Sequence, residues 1–309
     1  MKKVEICYPN FGKKAITFTI DDGNLAPDKK MIEILAPHGI KGTFNLCHAS
    51  YEGVSPDELR AIYAGYEIAN HCKWHPYVFS DGESYEFATE PFNEGTADES
   101  LIYENSARPG VYRIHFTRGW RSITTPERYI ELIEEAGSEL EAVFGEGSVR
   151  DFVWPFGQQN SQKVRDYLAG SKYRSVRRSR CLGDTTCFDL PSDLMSWAYN
   201  ANHMDLLTVA EQFDAYPDDG RLKFFSFGVH SIDYERAEKW GDLEAFARKF
   251  GDRPTDFWYA TVGEVFDYMS VAEQLVINEA EVSNPSDMTA YVLIDGERRE
   301  IAPGATIKL

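Results

Sequence analysis

The chain has 309 residues, enough for one large domain or one domain with a small appendage. Hydrophobic residues make up 43% and charged residues 27%, an ordinary globular composition with material for a sizeable core. A formal charge of −18 disfavours nucleic acid and anionic membrane surfaces as partners, and no stretch approaches the roughly 20 apolar residues of a spanning helix.

The N-terminal run Met1-Lys2-Lys3-Val4-Glu5-Ile6 has two lysines but no apolar stretch and no small-residue cleavage site, so the chain is expected in the cytoplasm. The first strong strand covers residues 15–20, is β-branched and aromatic, and ends in Asp21-Asp22-Gly23. A helix over about 27–38 follows, with Gly39 as its stop signal. Residues 42–46 read as the next strand. Ser55-Pro56-Asp57-Glu58 opens a helix to about Ala64, with Pro at the first helical position. A short strand holds residues 67–70. This alternation predicts a parallel α/β fold.

Residues 78–123 break the rhythm, show no clear period and read as a long insertion near the site. Thr125-Pro126-Glu127 opens a helix to about Phe144 with apolar residues at helical spacing. Strands are expected at 149–154, near 173–176 and at 222–227, and a last helix over 261–269. After Val271 the texture changes to short apolar runs around an Asp295-Gly296 hairpin signal. Residues 1–271 are thus expected to form the main domain and 272–309 a small β appendage. That appendage would cap the main domain or serve a contact in a homo-oligomer. The five cysteines (Cys7, Cys47, Cys72, Cys181, Cys187) are odd in number, scattered and without a CxxC pair, which favours reduced thiols over a disulfide framework or a zinc ribbon.

Four features carry chemistry. Asp21 and Asp22 sit at the carboxyl end of a strand, where parallel α/β folds gather their active sites. The ordinary alternative is a solvated Asp-Asp-Gly turn. His71 and His75 are four apart, which on a helical turn puts both imidazoles on one face, as two metal ligands require. Two His and one Asp with a position left open is the pattern of a catalytic zinc-type site. A strand ends in Phe152-Val153-Trp154-Pro155-Phe156-Gly157, a turn able to aim a backbone N–H at an oxyanion. A second apolar strand ends in His230, which beside a metal site becomes a candidate general acid.

Together these features resemble the polysaccharide deacetylases of carbohydrate esterase family 4, the NodB-like domains. Thr17-Phe18-Thr19-Ile20-Asp21-Asp22-Gly23 is similar to the family's first motif. The run from Gly65 to Pro76 is similar to the second, Phe152 to Gly157 to the third, and the strand ending at His230 to the last. The order agrees across about residues 12–270. The resemblance implies a distorted (β/α) barrel, TIM-like but with about seven units, plus one divalent metal ion, zinc before cobalt, nickel or manganese. It implies Asp22, His71 and His75 as metal ligands, Asp21 as catalytic base and His230 as proton donor. Phe156 would supply an oxyanion N–H, and Trp74, Tyr77, Trp154 and Trp197 would line the sugar site, with core packing as the competing reading for each.

The chain departs from the pattern in three places. Cys72 stands where the family has Ser or Thr. Val153 stands where the third motif has an Arg that pairs with the base, and Arg177, Arg178 and Arg121 compete to replace it. The fourth motif's Asp and Trp are blurred, with Asp189 and Trp197 the nearest matches.

The expected function is a hydrolase of carbon–nitrogen bonds other than peptide bonds, removing acetyl groups from an acetylated saccharide or small amide, with ester cleavage as a variant. Two other readings compete. One is a hydrolase of cyclic amides or imides (allantoin-like) on the same fold. The other is a catalytically silent sugar-binding protein.

Overall fold

In the computed structural model, which describes residues 2–181 and 187–309, the chain opens with β1 (Val4–Cys7) and β2 (Lys14–Asp22). Residues 15–20 are buried throughout, as suits a parallel strand covered on both faces. α1 (Leu25–Leu35) runs into a short 3-10 turn that stops at Gly39, whose φ of 69° a side chain would resist. β3 (Gly42–Leu46), α2 (His48–Tyr51), α3 (Pro56–Ile62) and β4 (Glu67–Asn70) follow. Ser55 caps α3 by accepting from the Glu58 N–H, as its sequence signature predicts.

The stretch read as irregular is a four-stranded sheet. β5 (Tyr77–Val78), β6 (Tyr103–Glu104), β7 (Val111–Phe116) and β8 (Gly119–Thr124) lie in the order β5-β8-β7-β6. Both faces of β7 and β8 are partly covered, which erases the alternation that normally betrays a strand. Their turn, Thr117-Arg118, also lacks the Asn-Gly type of hairpin signal.

The barrel then resumes with α4 (Pro126–Phe144), β9 (Asp151–Val153), α5 (Gln162–Ala169), β10 (Ser175–Arg177), α6 (Leu206–Asp214), β11 (Lys223–His230), α7 (Ser231–Arg236), α8 (Trp240–Phe250), β12 (Phe257–Tyr259) and α9 (Val262–Gln274). The main sheet runs β10-β9-β4-β3-β2-β11, all parallel. β11 takes one edge of β2, and the other edge is shared by β3 at residues 18–22 and β12 at residues 14–16.

β10 and β11 do not pair. The extended segment 197–201 runs between them, bridging Arg177 to Trp197 on one side and Ala201 to Phe227 on the other. Backbone bonds from Arg178 N to Trp197 O (2.9 Å) and from Gly228 N to Ala201 O (2.9 Å) hold it there. Counted as a stave, it closes a distorted (β/α) barrel of seven.

At the amino end of the barrel, Arg174 joins Asp151, Glu67 (3.0 Å) and Asp267 (2.8 Å). α9 docks on this network through the Gly263 N–H, which donates to Glu67 (2.8 Å). A Cβ on Gly263 would lie 1.8 Å from the Glu67 carboxylate, so only glycine permits the approach. α9 extends to Gln274, past the helix end expected at 269.

β13 (Val276–Ile277), β14 (Glu281–Ser283) and β17 (Thr306–Lys308) form one small sheet. β15 (Ala290–Ile294) and β16 (Glu297–Ile301) form another with β1, so the first strand of the chain shares a sheet with the last segment. Asp295 and Gly296, at φ 51° and 83°, make the hairpin turn that the sequence signals.

Candidate active site

The parallel register levels the carboxyl ends of the strands at one rim. His230 lies opposite Asp21, Asp21 opposite Asn45, Leu46 opposite Asn70, Asn70 opposite Phe152, and Val153 opposite Arg177. A cavity of about 470 Å3 opens there, lined by Asp21, Asp22, His71, His75, Trp154, Phe156 and His230, with Arg121, Arg177, Arg178 and Tyr199 among the rest.

Adjacent residues on a strand face opposite sides, yet both Asp21 and Asp22 reach this cavity. Asp22 achieves it at φ 78°, which turns the backbone out of the strand. Cys72 (φ 63°), His75 (φ 51°) and Phe156 (φ 57°) are likewise left-handed. Four of the eight non-glycine residues at positive φ among the described residues thus crowd this rim, at a cost of about 1–3 kcal/mol each that the surrounding structure must offset.

His71 and His75 are not on a helical turn. The loop 71–76 is non-helical, and its two left-handed residues bring the imidazoles together. The spacing identifies the pair, but the local conformation differs from the expectation. Asn70 shapes this loop: its side-chain oxygen accepts from the Cys72 N–H (2.8 Å), and its amide donates to the Ile133 carbonyl and the Tyr173 oxygen. The Cys72 side chain is buried in the core, and burial pushes its thiol well up.

His71 Nε2, His75 Nε2 and Asp22 Oδ1 lie 3.1–3.4 Å from one another. His71 Nδ1 bonds the Val153 carbonyl at 2.8 Å, so it carries the proton and leaves the Nε2 lone pair pointing at His75. Burial and the neighbouring His71 push His75 down to about 4, keeping it neutral. Burial opposes ionisation of Asp22, but the neighbouring imidazoles, His71 first, then His75 and His230, hold its carboxyl well below the usual range. Asp22 Oδ1 is buried without a hydrogen-bond partner among the described residues. Two imidazole Nε2 atoms and an ionised oxygen converging on one point suit a cation. Their separations suit three ligands at bonds of about 2.0–2.2 Å. Asp22, His71 and His75 are thus placed so that they could hold a metal ion, and Cys72 is not part of the group.

On one side of this group, Arg177 bonds Asp21. Asn45 adds a second bond to the same carboxylate oxygen at 2.7 Å. Burial pushes Asp21 up, but Arg177, then His71 and His230, outweigh it and hold the carboxyl down. On the other side, His230 Nδ1 bonds Asp233 at 2.8 Å, and its Nε2 lies 3.8 Å from Asp22. Burial lowers His230, but the Asp233 bond, then Asp21 and Asp22, push it up to about 9.

His75 packs edge-on against Phe156, which stacks flat on Tyr77 at 3.8 Å. Gly157, at φ 66°, passes so close to Ser179 that a Cβ would meet its backbone at 2.6 Å. Trp154 lines the cavity and is 2% exposed, its indole N–H without an acceptor among the described residues.

Three expected lining residues are outside the cavity lining, the first being Tyr77, which stacks on Phe156. Trp74 is outside the cavity lining, its ring faced by Lys73, Arg108 and Arg128. Trp197 is buried in the second core cluster and donates to Ser175 at 3.2 Å. Asp189 pairs with Lys223 (2.6 Å) at the opposite end of β11, and Asp233 stands beside His230 instead. Asp233 and Tyr199 escaped sequence reading. Asp233 left one signal, a carboxylate one helical turn after a strand-end His.

Ligand-type and proton-carrying side chains gathered at the carboxyl rim of a parallel barrel mark an α/β-barrel hydrolase. A family model described as polysaccharide deacetylase matches residues 9–176, more than half of the chain, and the chain belongs to that family. Membership makes it a hydrolase of carbon–nitrogen bonds other than peptide bonds.

The fold is similar to a protein from Mycobacterium smegmatis assigned to the polysaccharide deacetylases, with a TM-score of 0.54, 15% identity and coverage of 88% of this chain and 96% of that one. Peptidoglycan deacetylase PdaC from Bacillus subtilis matches at TM-score 0.48 and 15% identity, covering 84% and 94%. A family 4 acetyl xylan esterase from Clostridium thermocellum, in complex with a cobalt ion, matches at 0.45 and 14%, covering 83% and 92%. No curated protein sequence matches the chain.

Proposed function

We propose that the protein is a metal-dependent deacetylase that removes acetyl groups from a saccharide, acting on an N-acetyl amide or, with the same groups, an O-acetyl ester. The observation that carries this reading is the metal-ligand group set between two opposed proton carriers, Asp21 backed by Arg177 and His230 backed by Asp233.

Asp22, His71 and His75 hold the metal, with zinc first among divalent ions because imidazole and carboxylate donors suit it. The bound ion supplies Lewis acidity toward a water molecule and the acyl carbonyl. Asp21, kept ionised by Arg177, accepts the proton of the attacking water. The Phe156 N–H stabilises the oxyanion, a contribution of roughly 3–4 kcal/mol for a donor of this kind. His230, kept protonated by Asp233, delivers a proton to the departing nitrogen, which would otherwise leave as an amide anion. Trp154 and Phe156 flank the acyl sugar.

The test is metal analysis combined with acetate release from acetylated sugars. Stoichiometric divalent metal and acetate release that disappears in Asp21→Asn and His230→Ala are expected. A chain that binds no divalent metal, or an Asp22→Ala variant with unchanged activity, would remove the proposal.

A further inference from the structure

Three arginines line the cavity, and only Arg177 is engaged by a carboxylate. Arg178 spends its Nε on the Ser196 carbonyl (3.3 Å), and Arg121 spends one terminal nitrogen on the Trp120 carbonyl (3.1 Å). Neither forms an ion pair among the described residues. The chain carries 50 acidic residues against 32 Lys and Arg, so carboxylates are the most abundant partners available. Two guanidinium groups left without one, in the same cavity, run against that excess.

They also come from different walls. Arg178 follows β10 of the barrel, whereas Arg121 lies on β8 of the inserted sheet, beside Tyr77. Trp154, from a third element, lines the same cavity. The cavity thus presents two guanidinium groups without a carboxylate partner among the described residues, and its arginines outnumber its aspartates before any metal or the His230 proton is counted. In a molecule of net charge −18, a concave positive site draws anions by focusing its field. Guanidinium forks match carboxylate and phosphate oxygens in geometry as well as charge.

We infer that Arg121 and Arg178 form an anion-binding subsite, and that the substrate is an acyl sugar bearing a carboxylate or a phosphate. This identification of the substrate rests on the deacetylase reading, but the anion subsite itself does not. A volume of about 470 Å3 accommodates one sugar ring with such a substituent. The inserted sheet thereby contributes to specificity, since it brings Arg121 to the barrel's rim.

The experiment measures binding first and turnover second, on the metal-loaded full chain. Calorimetric titration with glucose, glucuronate and glucose 6-phosphate should show the charged sugars binding at least about tenfold more tightly, the range for a charge-assisted hydrogen bond. The advantage should shrink as salt rises. Arg121→Gln and Arg178→Gln should each reduce the charged-to-neutral ratio by about tenfold, which separates the arginines from direct binding of the anion to the metal. The stronger of glucuronate and glucose 6-phosphate identifies carboxylate or phosphate as the group recognised.

Acetate release from N-acetylglucosamine, its 6-phosphate and N-acetylmuramic acid should follow the same ratio in kcat/KM. Equal or undetectable binding of charged and neutral sugars overturns the inference, and so does a preference that survives both substitutions. Selective binding of charged sugars that the arginine variants lose, without acetate release from any substrate, would keep the subsite and remove the deacetylase reading.

Discussion

Arg177, on the last residue of β10, bonds Asp21 on β2 across the rim of the barrel, the arginine 2% and the aspartate 13% exposed. The family pattern places an arginine for this task where Val153 stands here. The barrel supplies the charge from the next strand, because Val153 and Arg177 are register partners in adjacent parallel strands. The Val153 carbonyl meanwhile fixes the His71 proton.

Removing the guanidinium should act on both stability and pH dependence. Asp21 has a depressed carboxyl, so it contributes stability above its unfolded value near 4 that is lost as pH falls through its folded value. In Arg177→Gln the folded value rises, and the acid limb of kcat/KM should move to higher pH. Stability should fall by about 3–5 kcal/mol, the usual cost of breaking a buried pair, by denaturant unfolding. An acid limb that stays in place would assign it to another group.

Asp22→Asn, His71→Ala and His75→Ala should each weaken divalent-metal binding by roughly 100-fold or more, since loss of an outer partner alone costs 10–100-fold. Competition with a chromogenic chelator reads this directly. Replacing Cys72 by Ser, by contrast, should leave metal affinity unchanged, because its side chain lies in the core.

His230 is raised to about 9, so its acid form persists through neutral pH and is lost as pH rises through that value. The alkaline limb of kcat/KM should report it. Asp233→Asn removes the largest raising influence, and the limb should move down by about one unit or more. A limb indifferent to Asp233 would argue against His230 as the proton donor.

Asp28 on α1 is fully buried and accepts bonds from Tyr63 (2.7 Å) and from Ser231, tying α1 to α7 behind the site. Burial pushes its carboxyl up to about 7. Between about pH 4 and 7 the folded state therefore holds a proton that the unfolded chain releases. Stability should fall as pH rises through that window, by up to about 1.4 kcal/mol per pH unit. Asp28→Asn should remove this slope, as measured by urea unfolding across the range.

The sequence by itself determined six of the seven staves and the chemistry they carry; the seventh, segment 197–201, was not legible in it. Apolar runs ending in Asp21-Asp22, in His230 and ahead of His71 are local patterns, and a parallel barrel must bring such strand ends to one rim. Helix starts at Ser55-Pro56 and Thr125-Pro126 were legible because capping is a matter of a few adjacent residues.

Tertiary structure alone decided which arginine meets Asp21, because Arg177, Arg178 and Arg121 look alike until register selects one. It decided that His71 and His75 converge through left-handed loop residues, a conformation that neither residue type favours and only the surrounding packing imposes. It decided that Trp197 packs in the core while Trp154 faces the cavity, since aromatic character is the same in both. It also decided that residues 77–124 form a sheet, whose half-covered strands leave no period to read, and that this sheet lends Arg121 to the barrel. What can be written in neighbouring residues was readable; what depends on contacts between distant strands was settled only when the barrel closed.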